Sequence, residues 1–166
     1  MFEALLEDSF VVTVVSNTCR YSRRYELFLQ FKKMCEDAGI DLIVVELAFG
    51  HRPFEVTNGV EKNHLRLRTH EEFWHKENLL NLGIAHGRRL WPEKLRVMWI
   101  DGDTAPVGRS AREWFEETWH ELQHYEFVQM WEWLQPLDFK YNALGSPYPS
   151  FMSNYVKYGD PYPKPE

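Results

Sequence analysis

A chain of 166 residues, 44% hydrophobic and 27% charged, can bury one core and leaves little length for a second full-sized domain. Its formal net charge of −6 excludes a protein that grips nucleic acid by covering itself in Lys and Arg. Its two cysteines, Cys19 and Cys35, signal neither a disulfide framework nor a zinc site. No apolar run approaches the roughly 20 residues of a membrane span, and the short acidic stretch Met1 to Asp8 is unlike a secretory leader. The expectation is a soluble protein of a reducing, cytoplasmic compartment.

Phe10-Val-Val-Thr-Val-Val-Ser16 is nearly continuous and β-branched, as in a strand buried on both faces of a parallel sheet. Tyr25, Phe28, Leu29, Phe31 and Cys35 recur at helical spacing from Ser22 to Ala38, and Gly39 supplies a stop. Leu42 to Phe49 reads as a second strand closed by Gly50 and Pro53, and His64 to Arg68 as an alternating edge strand. Thr69 is placed to cap a helix from about His70 to His86, with Glu71 and Glu72 in its first turn and Gly87 ending it. Leu95 to Ile100 is a further core strand running into Asp101-Gly-Asp103. Ser110 then caps a helix to about His124, and Tyr125 to Met130 reads as a short strand. Residues 131–166 hold six of the nine prolines and show no clear period.

Strands alternating with helices predict a mostly parallel central sheet flanked by helices, with ligands gathered at the carboxyl ends of the strands. The organisation expected is an α/β domain over 1–130 followed by a Pro- and Tyr-rich extension over 131–166. Seven Trp and a 16% aromatic share fit a crowded core or a ring-stacking surface. Trp114, Phe115, Trp119 and Leu122 read as core, and Trp131 and Trp133 as candidates to stack on a sugar.

The strongest local feature is Trp99-Ile-Asp-Gly-Asp103. Two carboxylates separated by one glycine at the lip of a buried strand present oxygens to a hard cation, Mn²⁺ or Mg²⁺, which would neutralise a diphosphate. The competing reading is a polar turn whose acids cap the next helix or bond their own backbone. Lys76 offers a positive charge to the same diphosphate, or is simply solvated. On a helix it lies roughly 140° from Asn81, so the two act on different sides. Ser16 and Asn17, at the end of the first strand, are candidates to bond a base or ribose. Glu46 is a weaker candidate, set against an acid facing solvent at the sheet rim. Arg20, Arg23 and Arg24 crowd a helix start, a local cost that a bound anion would relieve. His120 and His124 stand one turn apart without the intervening Glu of a metalloprotease helix, and read as an exposed pair.

Taken in order, Val12 to Asn17, Val44 to Gly50 with Arg52 to Val56, Leu67 to Thr69, Trp74 to Asn78 with Asn81 to Gly83, Trp99 to Asp103, and Leu122 to Tyr125 with Val128 to Met130 resemble the donor-binding part of GT-A glycosyltransferases. The likeness is narrower to the glycosyltransferase-like proteins of tailed bacteriophages and their hosts. It implies a Rossmann-like nucleotide-diphospho-sugar transferase fold and metal-dependent transfer of a sugar from a nucleotide donor, UDP-sugar above all, to an acceptor hydroxyl. The Asp-x-Asp of the family carries over to Asp101 and Asp103 as holders of Mn²⁺ or Mg²⁺ and the donor phosphates. Lys76 and Asn81 inherit donor contacts, Ser16 and Asn17 base contacts, and Glu46 a lesser one.

Two departures stand out. Thr104-Ala-Pro106 replaces the small residue and apolar stretch that follow the second Asp in relatives. The family's acceptor-binding region, with its acidic catalytic residue, has no counterpart after residue 130, so the general base is unassigned. The expectation is a donor-binding portion whose acceptor half comes from another chain or is missing, with a modified DNA base or a glycan as acceptor. Two alternatives stand beside it. One is a catalytically inactive nucleotide or nucleotide-sugar binder, for instance a phage counter-defence protein. The other is a haloacid-dehalogenase-like phosphatase with Asp101 as nucleophile.

Overall fold

The computed structural model describes residues 2–159. They run in the order α1 (Phe2–Asp8), β1 (Ser9–Ser16), α2 (Ser22–Asp37), β2 (Leu42–Phe49), β3 (His64–Thr69), α3 (Lys76–Leu90), β4 (Arg96–Trp99), α4 (Ala111–Glu121), β5 (Trp133–Leu134), β6 (Tyr148–Pro149) and α5 (Phe151–Tyr158). The chain divides into two compact units, Met1–Trp119 and His120–Glu166. No helix among the described residues is long and apolar enough to cross a membrane.

The first unit is α/β. Its sheet has the order β3-β2-β1-β4, and every pairing in it is parallel. β1 and β2 are central, and their β-branched runs are buried almost throughout. Side chains alternate between the two faces. Phe10, Val12, Ile43, Val45, Leu47 and Phe49 form one core with Leu79 of α3. α3 comes this close because it carries glycine where it meets the sheet. A Cβ at Gly83 would lie 2.6 Å from Val12 Cγ1 and 2.7 Å from Val45 Cγ2, and one at Gly87 2.2 Å from Phe10 Cε2. On α2 the buried residues are Phe28, Phe31 and Cys35.

At the amino ends of the strands, Lys94 is the buried anchor. Its ammonium pairs with Asp41 at 2.6 Å and donates to the carbonyls of Ser9, at 3.1 Å, and Leu6. Burying that charge is tolerable because every direction it faces supplies an acceptor.

Several sequence expectations need correction. The helix expected from His70 to His86 begins at Lys76 and runs through Gly87 to Leu90. The Thr69 hydroxyl does accept from the Glu71 N–H, at 3.1 Å, but closes a turn instead of capping a helix, and Phe73 and Trp74 stay exposed. Packing of Leu79, Gly83 and Gly87 on the sheet decides where the helix lies, and residues 70–75 have no such contact face. The expected strand Tyr125 to Met130 is irregular chain, since β-propensity without a neighbouring strand does not make a sheet. The helix expected from Ser110 to about His124 stops at Glu121, and Leu29 points outward from α2. The periodless tail contains a two-residue antiparallel pairing of β5 with β6, and α5. Ser150 caps α5 and Gly159, at φ 67°, closes it.

Candidate functional site

The strands β1, β2 and β3 progress to one side of the sheet, and the chain then returns to place β4 on the other side of β1. The strand order thus reverses between β1 and β4, and the carboxyl ends of the strands at such a reversal are the position where open α/β sheets receive ligands. Ser16 and Asn17 end β1, and Asp101 to Asp103 follow β4. The Ile100 N–H donates to the Val12 carbonyl at 3.1 Å, so the ladder holds up to the turn itself.

The turn closes when the Thr104 N–H donates to the Asp101 carbonyl at 3.1 Å. Both carboxylates are exposed. Neither caps α4, which has its own capping box: Ser110 Oγ accepts from the Glu113 N–H at 3.2 Å, and Glu113 accepts from the Ser110 N–H at 2.7 Å. The hydrogen bonds its carboxylate accepts from the Ser110 N–H and the Ser110 hydroxyl, each at 2.7 Å, hold the Glu113 carboxyl below its usual range. The capping alternative for the two aspartates is therefore excluded. Asp101 Oδ1 instead forms an ion pair with Lys76 Nζ, and the Asp103 carboxylate has no hydrogen-bond or ion-pair partner among the described residues.

Lys76 is the first residue of α3, and no side chain caps that helix end. A lysine there opposes the helix dipole. The neighbouring Asp101 offsets that cost. Through that ion pair the uncapped start of α3 meets the turn that carries the two carboxylates. The oxygens suit a hard cation, and two carboxylates leave the rest of its shell to phosphate and water, the usual way Mg²⁺ is held. Among the described residues no cluster of three or more His, Cys, Asp or Glu side chains offers a complete protein cage.

The remaining sequence candidates fall into different places. Ser16 is half-buried at the end of β1; its carbonyl accepts from Arg24 Nη1 at 2.8 Å, and its hydroxyl has no partner among the described residues. Asn17 is buried and staples the loop into α2: its Oδ1 accepts from the Tyr21 N–H at 3.1 Å, and its Nδ2 donates to the Tyr21 carbonyl at 2.9 Å. Glu46 does not face solvent. At 3% exposure it accepts from the N–H groups of Glu55 (2.6 Å), Val56 (3.2 Å) and Thr57 (2.8 Å) and from the Thr57 hydroxyl (2.6 Å), and so pins the connection between β2 and β3. Asn81 is exposed on the second turn of α3, and no contact joins it to Lys76 or the aspartates. The arginines expected to crowd α2 are satisfied internally, Arg23 by Glu26 at 2.9 Å, Arg24 by Ser16, and Arg20 by Glu55 at 3.5 Å. His120 and His124 stack edge to face at 5.4 Å and gather no third ligand.

Sequence reasoning missed a cavity of about 480 Å³ at the carboxyl ends of β2 and β3, lined by Arg20, Phe49, His51, Arg52, His70 and Glu72 among others. The available signal was positional, since His51 and Arg52 follow β2 and His70 follows β3. Arg52 donates to the Thr18 carbonyl at 2.6 Å and lies 3.6 Å from Glu72, tying the three loops together. A second cavity, of about 450 Å³, is bordered by Lys33 and Asp37 toward the end of α2, which pair with each other at 2.8 Å, and by Arg112, whose guanidinium lies over the Phe2 ring.

Fold and strand order together define an α/β protein of Rossmann-like architecture with an acidic turn at its strand-order reversal. No family model, curated protein or solved structure matches the chain.

Proposed function

We propose that this is the donor-binding portion of a GT-A-type glycosyltransferase, which takes a nucleotide-diphosphate sugar, UDP-sugar above all, through one Mn²⁺ or Mg²⁺ held by Asp101 and Asp103. The observation that carries the reading is the meeting of Lys76 with Asp101 beside an unpartnered Asp103, next to the point where the strand order reverses. A lysine parked on a carboxylate is a site built for a ligand of mixed charge. When the donor arrives, Lys76 moves to phosphate oxygen and frees Asp101 for the cation, with the first-turn N–H groups of α3 facing the same anion. The bound cation supplies Lewis-acid neutralisation of the departing nucleoside diphosphate. Ser16 has a free hydroxyl for the ribose or base, and the cavity between Arg20 and His70 has room for a nucleoside. Asn17 and Glu46 serve this reading indirectly, by fixing the loops.

The acceptor in this reading is a hydroxyl of a glycan or of a hydroxylated DNA base.

Thermal shift with a panel of nucleotide sugars, with and without Mn²⁺, tests the reading. A rise of about 5–10 °C at a hundredfold excess over Kd is expected for at least one donor, only with metal, and not in Asp101→Ala/Asp103→Ala. Equal stabilisation of wild type and double variant would end the proposal. Binding without donor hydrolysis or transfer, with acceptors supplied, would move the protein to the inactive binders. Release of phosphate from an aryl phosphate, lost in Asp101→Asn, would move it to the phosphatases.

A further inference from the structure

The stretch Phe10 to Val15 holds one polar side chain, Thr13, on a strand buried between its neighbours. Thr13 is fully buried, and its Oγ1 has no hydrogen-bond partner among the described residues. A strand threonine offers the sheet nothing that valine would not, and an unpaired buried hydroxyl destabilises the fold that keeps it. The position of the group supplies a reason for it. A Cβ on Gly102 would stand 3.2 Å from Thr13 Oγ1 and 3.1 Å from Phe28 Cδ2, so the hydroxyl lies directly beneath the middle residue of the Asp101-Gly102-Asp103 turn. Glycine lets the turn rest this close without either group giving way. The donor therefore faces the backbone that carries both carboxylates.

We propose that Thr13 is a positioning residue for the cation turn: its hydroxyl donates to a main-chain carbonyl of Asp101-Gly102-Asp103 when the turn closes on a divalent cation, and so fixes the two carboxylates in their bound arrangement. The proposal rests on the reading of Asp101 and Asp103 as cation ligands. In the cation-free protein the hydroxyl is a cost to stability; in the bound protein it is a hydrogen bond. Threonine is thereby selected for binding, against the preference of the fold.

Three variants, Thr13→Val, Thr13→Ser and Asp101→Asn/Asp103→Asn, compared with wild type by Mn²⁺ titration with and without UDP and by melting of the metal-free protein, separate the possibilities. Thr13→Val is expected to melt about 2–4 °C higher than wild type without metal, because it deletes an unpaired polar group, and to bind Mn²⁺ roughly tenfold more weakly. Thr13→Ser is expected to recover most of the Mn²⁺ affinity. A Thr13→Val protein that melts lower and binds Mn²⁺ as wild type does would show the hydroxyl to be structural and overturn the proposal. Loss of Mn²⁺ binding in the aspartate variant with no change in Thr13→Val would remove the role of Thr13 alone. Mn²⁺ binding that survives the aspartate substitutions would remove the cation reading and Thr13 with it.

Discussion

Lys76 and Asp101 are both partly exposed, so the ion pair between them contributes at most about 1 kcal/mol. That small value is what the site requires, because a cation must be able to break the pair. It also gives Lys76 opposite effects in two experiments. Without nucleotide, Lys76 competes with the metal for Asp101, and Lys76→Ala is expected to tighten Mn²⁺ binding about two- to fivefold. With UDP present, the same variant lacks a phosphate contact and is expected to bind UDP and Mn²⁺ together several-fold more weakly. Isothermal titration in both conditions checks the reversal of sign. Loss of affinity in both would make Lys76 a structural support of the turn, and a gain in both would remove it from the phosphate site.

The close approach of α3 to β1 and β2 depends on two glycines, and here two effects of alanine oppose one another. Within a helix Gly→Ala is worth up to about 1 kcal/mol in its favour. Against that, a methyl at Gly83 meets Val12 and Val45, whose branched side chains are stiff, and one at Gly87 meets the Phe10 ring, fully buried and packed 5.7 Å from Trp91. Overpacking of this kind costs about 1–3 kcal/mol and wins. Gly83→Ala and Gly87→Ala are each expected to lower the midpoint of urea unfolding, whereas a raised midpoint would mean that α3 stands off the sheet. The same packing explains what was legible beforehand. β1, β2 and β3 are readable within a residue or so, because their patterns of burial are written in consecutive side chains. The start of α3 is not, because the helix is positioned by glycines, which carry no periodic hydrophobic signal, and Gly87 reads as a stop when it is a contact. β5 and β6, at two residues each, are too short to show any period. At the site, Asp101 and Asp103 are neighbours in sequence and stand out at once. The pairing of Lys76 with Asp101, and of Thr13 with Gly102, joins residues far apart in the chain and is visible only after folding. Glu46 misleads for the opposite reason: an acid in a buried strand looks functional, yet its partners are the N–H groups of a loop ten residues on.

For the first unit as a whole, stability is expected to depend on pH through His64, the buried member of the seven histidines. Its Nδ1 accepts from the Asn58 N–H at 3.1 Å, which leaves the proton of the neutral ring on Nε2, 3.3 Å from a Glu61 carboxylate oxygen. Burial holds the imidazole below its ordinary value, and the attraction of Glu61 only partly opposes it. The folded protein therefore binds fewer protons at this site than the unfolded chain does. The stability contributed by neutral His64 is complete above the unfolded value of about 6.5 and is lost as pH falls from there toward the lower folded value, with a slope of at most about 1.4 kcal/mol per pH unit. Glu61 acts lower on the scale. Its carboxyl is held below the usual range by the Asn58 side chain, so its contribution is present above the ordinary carboxylate range and lost as pH falls beneath it. The two windows are thus separable. Urea unfolding of the first unit at pH 7.5, 6.5 and 5.5 is expected to show falling stability in wild type, and a flatter profile in His64→Asn, whose amide oxygen can still accept from Asn58 but takes up no proton. Any general destabilisation by the smaller side chain moves the whole curve and leaves the slope untouched, so an unchanged slope in the variant would place the sensitivity elsewhere.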